Sequence, residues 1–203
     1  MKTETKRRIL DAARREFAEF GLAGARIDRI ADQASANKRS IYVHFGPKED
    51  LFDLIVVDSL RTMADAVRFD ADDLPGYAGR LYDYLLAEPS TLRLSTWANL
   101  ERPSSTDDEG TTYREKVDAL RPRYGDGAVD ALVLTLGLIT AWPSASPALT
   151  SLASPDDAAG DTIAARRAIV VAAVAAVVVV AVSKLMVSAA ASLTPAVELM
   201  FSV

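Results

Sequence analysis

The chain has 203 residues, half of them apolar, and a net charge of −5, so it is long enough for one domain or for a small domain joined to a larger one. It contains no cysteine and one histidine, which excludes disulfide frameworks, thiolate metal sites and histidine metal clusters. We therefore expect no metal and no cofactor. His44 lies among basic residues rather than beside an orienting carboxylate, so we assign no catalytic residue and expect no enzyme.

Charge is unevenly distributed along the chain. Residues 1–50 carry 11 Lys and Arg against 8 Asp and Glu, whereas residues 51–203 carry 12 against 20. The first ten residues are polar and charged, with no apolar stretch behind them, so no secretory signal is predicted and the cytoplasm is the expected compartment. A basic head on an acidic body indicates that the head approaches a polyanion.

The basic head contains three helical patterns. The first covers residues 3–20 and stops at Gly21, and the second ends at the sequence "SAN". Asn37 is a suitable N-cap for a third, short helix that begins at Lys38 and ends at Gly46-Pro47. The apolar residues expected to face inward are Ile9, Ala13, Phe17 and Phe20 in the first pattern, Ile27, Ile30, Ala31 and Ala34 in the second, and Ile41 and Phe45 in the third.

The rest of the chain also reads as helical. A long helix is predicted from residue 48 to about 69, two more in "YAGRLYDYLLA" and "STLRLSTWANLE", and further helices over about 112–122, about 126–142 and from about 161. No segment alternates with the period of a strand. The prediction is an all-α fold of about nine helices, with a three-helix head and a C-terminal helical bundle.

The last predicted helix contains fifteen uncharged apolar residues, Ala168 to Val182. A membrane span needs about 20 residues, and basic residues stand close on both sides of this tract. We therefore expect no membrane partner and predict a helix shared between the core and a second subunit. A membrane-anchored regulator, held through residues 168–187, is the alternative.

Two helices joined by a tight turn, the second short and basic, form a helix-turn-helix pattern whose second helix fits the major groove of DNA. Asn37 stands where helix N–H groups meet a phosphate, and Lys38, Arg39 and Ser40 occupy the first turn, which reaches base edges. Arg39 is suited to bidentate recognition of guanine. Tyr42, His44 and Lys48 are suited to phosphate contacts beside the groove.

The stretch "GLAGARIDRIADQASANKRSIYVHFGPKEDLF" resembles the DNA-binding head of the TetR family of bacterial repressors. Two departures concern a turn glycine, which is Ser35 here and must adopt a strained conformation, and a capping threonine, which is Arg26. Arg26 still supplies a cation for DNA. The residues that match the family pattern in order and spacing are Gly21, Ile30-Ala31, Tyr42, His44-Phe45 and Lys48-Glu49.

The resemblance implies a DNA-binding domain over residues 1–47 and a regulatory and dimerisation domain over residues 48–203. It further implies a homodimer, formed through about 126–142 and 161–190, that binds a palindromic double-stranded operator and leaves it when an unknown small molecule binds the body. Large side chains that could line the ligand pocket are Met63, Tyr84, Trp97, Tyr113 and Trp142.

Two other functions remain compatible with the residues. The first is a TetR-like DNA-binding protein with no small-molecule inducer, controlled by a protein partner. The second is an enzyme that uses His44 with a carboxylate such as Asp28 or Asp32. Substitution of His44 distinguishes these, because a phosphate contact affects DNA affinity and a catalytic base affects turnover.

Overall fold

A computed structural model describes residues 3–102, 104, 106–153 and 162–180. These residues form helices and connecting turns, with no strand among them, which confirms the predicted all-α fold. A 3₁₀ turn at Gly125–Gly127 separates α7 from α8. The helices are α1 (Thr3–Gly24), α2 (Ile27–Gln33), α3 (Lys38–Phe45), α4 (Lys48–Ala66), α5 (Leu74–Ala87), α6 (Pro89–Glu101), α7 (Asp107–Tyr124), α8 (Ala128–Ala141), α9 (Pro147–Thr150) and α10 (Thr162–Val180).

Packing divides the chain into two compact units. The first unit consists of Met1–Arg68 and Tyr84–Thr111, and the second of Phe69–Asp83 and Thr112–Val203. The predicted boundary at residue 47 does not coincide with a boundary between these units, and as a division between functions it stays a prediction.

Helix α1 forms as its apolar spacing predicts, with Ile9, Ala13 and Phe17 fully buried. At Gly21 the backbone leaves the helical conformation (φ 68°), and one further turn continues to Gly24. Phe20 was expected in the core, but its side chain is 38% exposed and lies 4.2 Å beneath the Arg29 guanidinium. The Arg29 guanidinium thus covers one face of the Phe20 ring, which lies outside the core.

The core of the first unit joins the head helices to α4 and α6. The rings of Phe17 and Phe52 meet edge to face at 5.1 Å, and Ile55 of α4 and Leu94 and Ala98 of α6 are buried in the same cluster. Burying each large apolar side chain contributes about 1.5–3 kcal/mol. Helix α6 therefore belongs to the same packed body as the helix-turn-helix.

In the second unit, α10 contacts α5 through an ion pair and through Val171, which lies beside Gly79. Arg167 Nε lies 2.8 Å from each carboxylate oxygen of Asp83, and its guanidinium occupies the space that a Cβ on Gly79 would fill. The residues of α10 that are buried, Val170, Val174 and Val178, recur every four positions and so lie on one face.

Two helical runs, Glu109–Ala141 and Thr162–Val180, are long and apolar enough to cross a membrane by length and composition alone, a test that core helices of soluble proteins also pass. The second run includes most of the predicted Ala/Val tract. Ala181, Val182 and the rest of the predicted segment 161–190 beyond Val180 lie outside the described residues.

Candidate DNA-binding surface

The turn between α2 and α3 is a Schellman motif. The N–H of Ala36 donates to the Ala31 carbonyl (2.9 Å), and the N–H of Ser35 donates to the Asp32 carbonyl (3.1 Å). Ser35 has φ 48°, the left-handed conformation that glycine adopts most easily. The predicted strain at Ser35 is therefore confirmed, and the turn sets the angle at which α3 leaves α2.

Helix α3 begins at Lys38, as predicted, because Asn37 caps it. Asn37 Oδ1 accepts the Arg39 N–H at 2.8 Å, and the Asn37 carbonyl accepts the N–H groups of Ser40 (2.9 Å) and Ile41 (3.3 Å). The N–H groups of Arg39 and Ser40 in the first turn therefore already have acceptors within the protein, and Ile41 makes the first regular bond of the helix, whereas the phosphate contact predicted at Asn37 stays a prediction. The cap fixes the helix end and leaves side chains to make the contacts.

An open concavity of about 580 Å³ lies on the solvent side of α3. Tyr42 is 45% exposed and Val43 70% exposed, whereas Ile41 and Phe45 are buried on the opposite side of the helix. Sequence reasoning missed Val43, although a β-branched apolar residue left exposed between polar neighbours is suited to contact a thymine methyl group. The residues that line the concavity are Asn37, Lys38, Arg39, Tyr42 and Val43.

Ser40 and His44 occupy another part of the helix surface. With 3.6 residues per turn, they follow each other on one flank of α3, about a quarter turn or more from Arg39. Neither lines the concavity, although the His44 side chain is exposed. The structure thus separates the predicted contact residues into a groove-facing group and a flank.

Lys38 is held by a carboxylate of the preceding helix. Its ammonium lies 2.7 Å from Asp28 Oδ1, and both side chains are about half exposed. The hydrogen bond from Lys38 lowers the pKa of Asp28, and the same bond raises the pKa of Lys38. Lys38 is therefore already paired within the protein, whereas Arg39 has no carboxylate within salt-bridge distance among the described residues.

A buried carboxylate binds the N-cap residue of α2, where the family has a capping threonine. Arg26 is the N-cap residue and makes no side-chain cap bond, but its N–H donates to Glu16 Oε1 at 2.8 Å. Glu16 is 1% exposed and also accepts from Arg29 Nε at 2.7 Å. The sequence contained one signal for this network, because Glu16 is a charged residue on the otherwise apolar face of α1. The Arg26 side chain stays exposed, where it can meet a phosphate.

Lys48 has a structural role that the sequence did not indicate. Its ammonium donates to the carbonyls of Ala25 (3.2 Å) and Ala23 (3.4 Å), which lie at the end of α1. In this conformation it satisfies acceptors within the protein rather than pointing away into solvent. Its predicted phosphate contact stays a prediction, and the ammonium has a third N–H group that these two bonds do not use.

Comparisons with known proteins identify the family. The model described as "Bacterial regulatory proteins, tetR family" matches residues 9–55, and that described as "Tetracyclin repressor-like, C-terminal domain" matches residues 73–175. The chain is 40% identical over 129 residues to the HTH-type transcriptional repressor SCO4008 of Streptomyces coelicolor, covering 62% of this chain and 67% of that relative. The chain belongs to the TetR family.

Other TetR-family relatives support the same assignment. The HTH-type transcriptional repressor AcnR of Corynebacterium glutamicum is 37% identical over 65 residues, covering 32% of this chain and 35% of AcnR. The crystal structure of the transcriptional regulator SCO4942 of Streptomyces coelicolor is 37% identical with a TM-score of 0.72, covering 84% of this chain and 96% of that one. The chain is thus a TetR-family DNA-binding regulator of transcription, and the named relatives SCO4008 and AcnR are transcriptional repressors, a non-enzymatic class of regulators.

The predicted ligand residues of this TetR-family protein are divided between the two units. Met63, Tyr84 and Trp97 lie in the first unit, and Tyr113 and Trp142 in the second. Two of them have evident packing partners. The Trp97 ring fills the space beside Gly21, and the Arg166 guanidinium lies 3.8 Å from the centre of the Trp142 ring. Their role in ligand binding stays a prediction.

Proposed function

We propose that this TetR-family protein is a cytoplasmic, homodimeric repressor that binds a palindromic operator through α3 and is released by a small molecule. The observation that carries the proposal is the exposed face of α3, where Arg39 and Lys38 flank an open concavity on a helix held rigidly by its cap and by the Schellman turn. An α-helix with these side chains fits the major groove, and its basic residues attract the phosphate backbone.

Within this proposal the side chains have different tasks. Arg39 reads a guanine, because it is exposed and has no competing carboxylate within salt-bridge distance among the described residues. Lys38, Ser40 and Tyr42 contact bases or phosphates beside it. The flank and the neighbouring helices supply contacts to the DNA backbone, which set position rather than sequence preference. The residues with that role are Arg26, Asn37, His44 and Lys48.

The dimer is supported by apolar surface on α8 and α10. Val133 and Leu134 of α8, and Ile169 and Val179 of α10, are more than half exposed within the single chain. A second copy that covers these helices removes the exposed apolar side chains from water. A twofold dimer also sets two heads on successive major grooves, which gives a palindromic operator its symmetry.

Release requires that the ligand bind one arrangement of the heads better than the other. Reversing a 99:1 population takes about 5.5 kcal/mol of differential affinity. The side chains proposed for ligand binding are Met63, Tyr84, Trp97, Tyr113 and Trp142, which are the large side chains that the sequence indicates in the regulatory domain. A thermal-shift screen tests this part: the expected ligand both stabilises the protein and abolishes operator binding. Control by a protein partner predicts no such compound.

Selection of bound sequences from random DNA tests the DNA-binding part with the purified full chain. The expected result is an enriched palindrome whose half-sites lie one helical turn, or a multiple of it, apart. Failure to enrich any sequence over the starting pool would overturn the proposal of specific recognition, and an enriched site without symmetry would overturn the homodimer.

A further inference from the structure

Lys116 of α7 has an unusual environment in the second unit. Its ammonium lies 5.6 Å from the centre of the Phe69 ring and 5.7 Å from that of the Tyr77 ring, and these rings meet edge to face at 5.0 Å. No carboxylate of the described residues lies within salt-bridge distance of it. Burial lowers the pKa of Lys116. The aromatic faces attract the cation, but they do not neutralise its charge.

The cluster has more hydrogen-bond donors than acceptors. Lys116 Nζ donates to the Tyr77 hydroxyl oxygen at 3.4 Å, a long bond that uses one of three N–H groups. Tyr77 is buried, and its own hydroxyl proton has no acceptor among the described residues. Burial, with a smaller contribution from nearby Tyr113, raises the pKa of Tyr77 to about 12, so the phenol stays protonated at neutral pH. An anion that accepts from both groups would satisfy the cluster.

We propose that Lys116 and Tyr77 form the anion-binding part of the effector site, and that the effector is a small monocarboxylic acid with an apolar body. One cation and one phenol match the single charge and two oxygens of a carboxylate, and the Phe69 ring provides an apolar contact for the rest of the molecule. The other cation that acts on Tyr77, Arg80, is already paired with Asp73 at 3.6 Å, so a phosphate dianion would bring a second negative charge without an unpaired cation of the described cluster to balance it. This inference rests on the proposed release by a small molecule.

Lys116 and Tyr77 are not among the pocket residues that the sequence indicates. Of those residues, Tyr113 is the one that contributes to the raised pKa of Tyr77. The sequence indicates one methionine and four aromatic residues as pocket residues, because large side chains line pockets. A lysine in a charged helix such as α7 gives no such signal, since lysines of this kind are usually solvated. Lys116 is distinguished by its contact with two aromatic rings, those of Phe69 and Tyr77. These residues lie about forty positions earlier in the chain, so the sequence does not indicate the contact.

The test is calorimetric titration of the full chain with benzoate and octanoate, with neutral benzamide and octanol as matched probes. We expect saturable binding of at least one acid and none of its neutral counterpart. Lys116→Met keeps the aliphatic stem and should weaken binding about tenfold or more, while Tyr77→Phe should weaken it several-fold. Arg114→Met removes an equal charge from an exposed position of α7 and should leave affinity unchanged.

A second measurement guards against a misfolded variant. The NMR titration of the Lys116 side chain in the wild-type protein should shift to higher pH when the acid is bound, because a carboxylate favours the charged form. Binding that is equal in wild type and Lys116→Met, binding of the neutral probes, or no binding of either acid would overturn the anion site. If the acid binds at Lys116 but operator affinity does not change, the anion site is supported. Only the proposal that this site is the effector site is then contradicted.

Discussion

Gly21 and Glu101 are in close contact at the point where α1 leaves the helical conformation, a contact called the interlock below. The backbone of Gly21 has φ 68°, and a Cβ there would lie 2.8 Å from a Glu101 carboxylate oxygen and equally close to the Trp97 ring. The next two N–H groups, of Leu22 and Ala23, donate to the Glu101 carboxylate, the latter at 3.3 Å. The end of α6 therefore holds the segment of α1 that leads into the helix-turn-helix.

Substitution Gly21→Ala should destabilise the protein by about 2–4 kcal/mol, because it combines left-handed backbone strain with steric overlap. Urea unfolding monitored by circular dichroism measures the change. Gly110→Ala is the matched control: nothing lies within 4 Å of the added Cβ, so we expect no loss and a gain of up to about 1 kcal/mol. Equal stability of the Gly21 variant and wild type would contradict the interlock.

Substitution Ser35→Gly should stabilise the protein by about 1 kcal/mol, since glycine accepts the left-handed conformation (φ 48°) without strain. The same unfolding experiment checks it. Ser95→Gly, within α6, makes the same chemical change in a helical backbone and should lower stability by about 0.5–1 kcal/mol. If both variants lose stability to the same degree, Ser35 is not strained.

Glu109 should contribute stability that acid removes. Burial opposes its ionisation, but hydrogen bonds from Arg102 (2.7 Å) and from Thr106 outweigh it, so its pKa is lowered. A lowered pKa adds stability above the ordinary carboxyl pKa, and this contribution is lost as the pH falls through the folded-state value. Glu109→Gln should therefore be less stable than wild type at pH 7, with the difference shrinking below about pH 4.

The matched control for Glu109 is Glu115→Gln, at an exposed position of the same helix. Its unfolding free energy should follow that of the wild type across the whole pH range. A Glu109→Gln deficit that stays constant between pH 7 and pH 3 would mean that the lost interaction does not depend on the carboxylate charge.

Substitution Leu134→Glu should convert the proposed homodimer to monomers, because it places a charge in the apolar surface of α8. Sedimentation velocity measures the change. Leu100→Glu introduces the same charge at a leucine of α6 that is 71% exposed, and this variant should stay dimeric. A Leu134→Glu protein that remains a dimer would exclude this part of α8 from the interface.

Local signals in the sequence were sufficient for much of the fold and for part of the binding surface. Asn37 as the cap, the start of α3 at Lys38 and the break at Gly46 all depend on residues within one helical turn, where chemistry and backbone geometry are directly linked. The left-handed conformation of Ser35 was implied instead by the resemblance to the TetR family, which has a glycine at that position of the turn. Helix ends were less accurate: α4 ends at Ala66 rather than near residue 69, and α7 begins at Asp107 rather than near 112.

Contacts between distant parts of the chain could not be predicted. Glu16 caps α2 from α1, Lys48 bonds to carbonyls more than twenty positions earlier, and Glu101 reaches α1 from α6. A single sequence gives no information on which residues contact each other when they lie ten or more positions apart. The same limit explains why the contact between the Trp97 ring and Gly21 was not predicted, whereas the role of Trp97 in ligand binding stays a prediction.

The central claim is that α3 reads DNA sequence, and Arg39 is the residue that tests it most directly. Fluorescence anisotropy compares Arg39→Ala with wild type on the selected operator and on a scrambled duplex of equal length at one salt concentration. Arg61→Ala removes an equal charge from an exposed position of α4, about 20 Å along that helix from Lys48, and should bind as the wild type does.

We predict that Arg39→Ala weakens operator binding by about 1–3 kcal/mol and weakens binding to the scrambled duplex much less, because a base contact is lost only where the correct base is present. An equal loss of affinity on both duplexes would contradict the claim, since it would make Arg39 a phosphate contact.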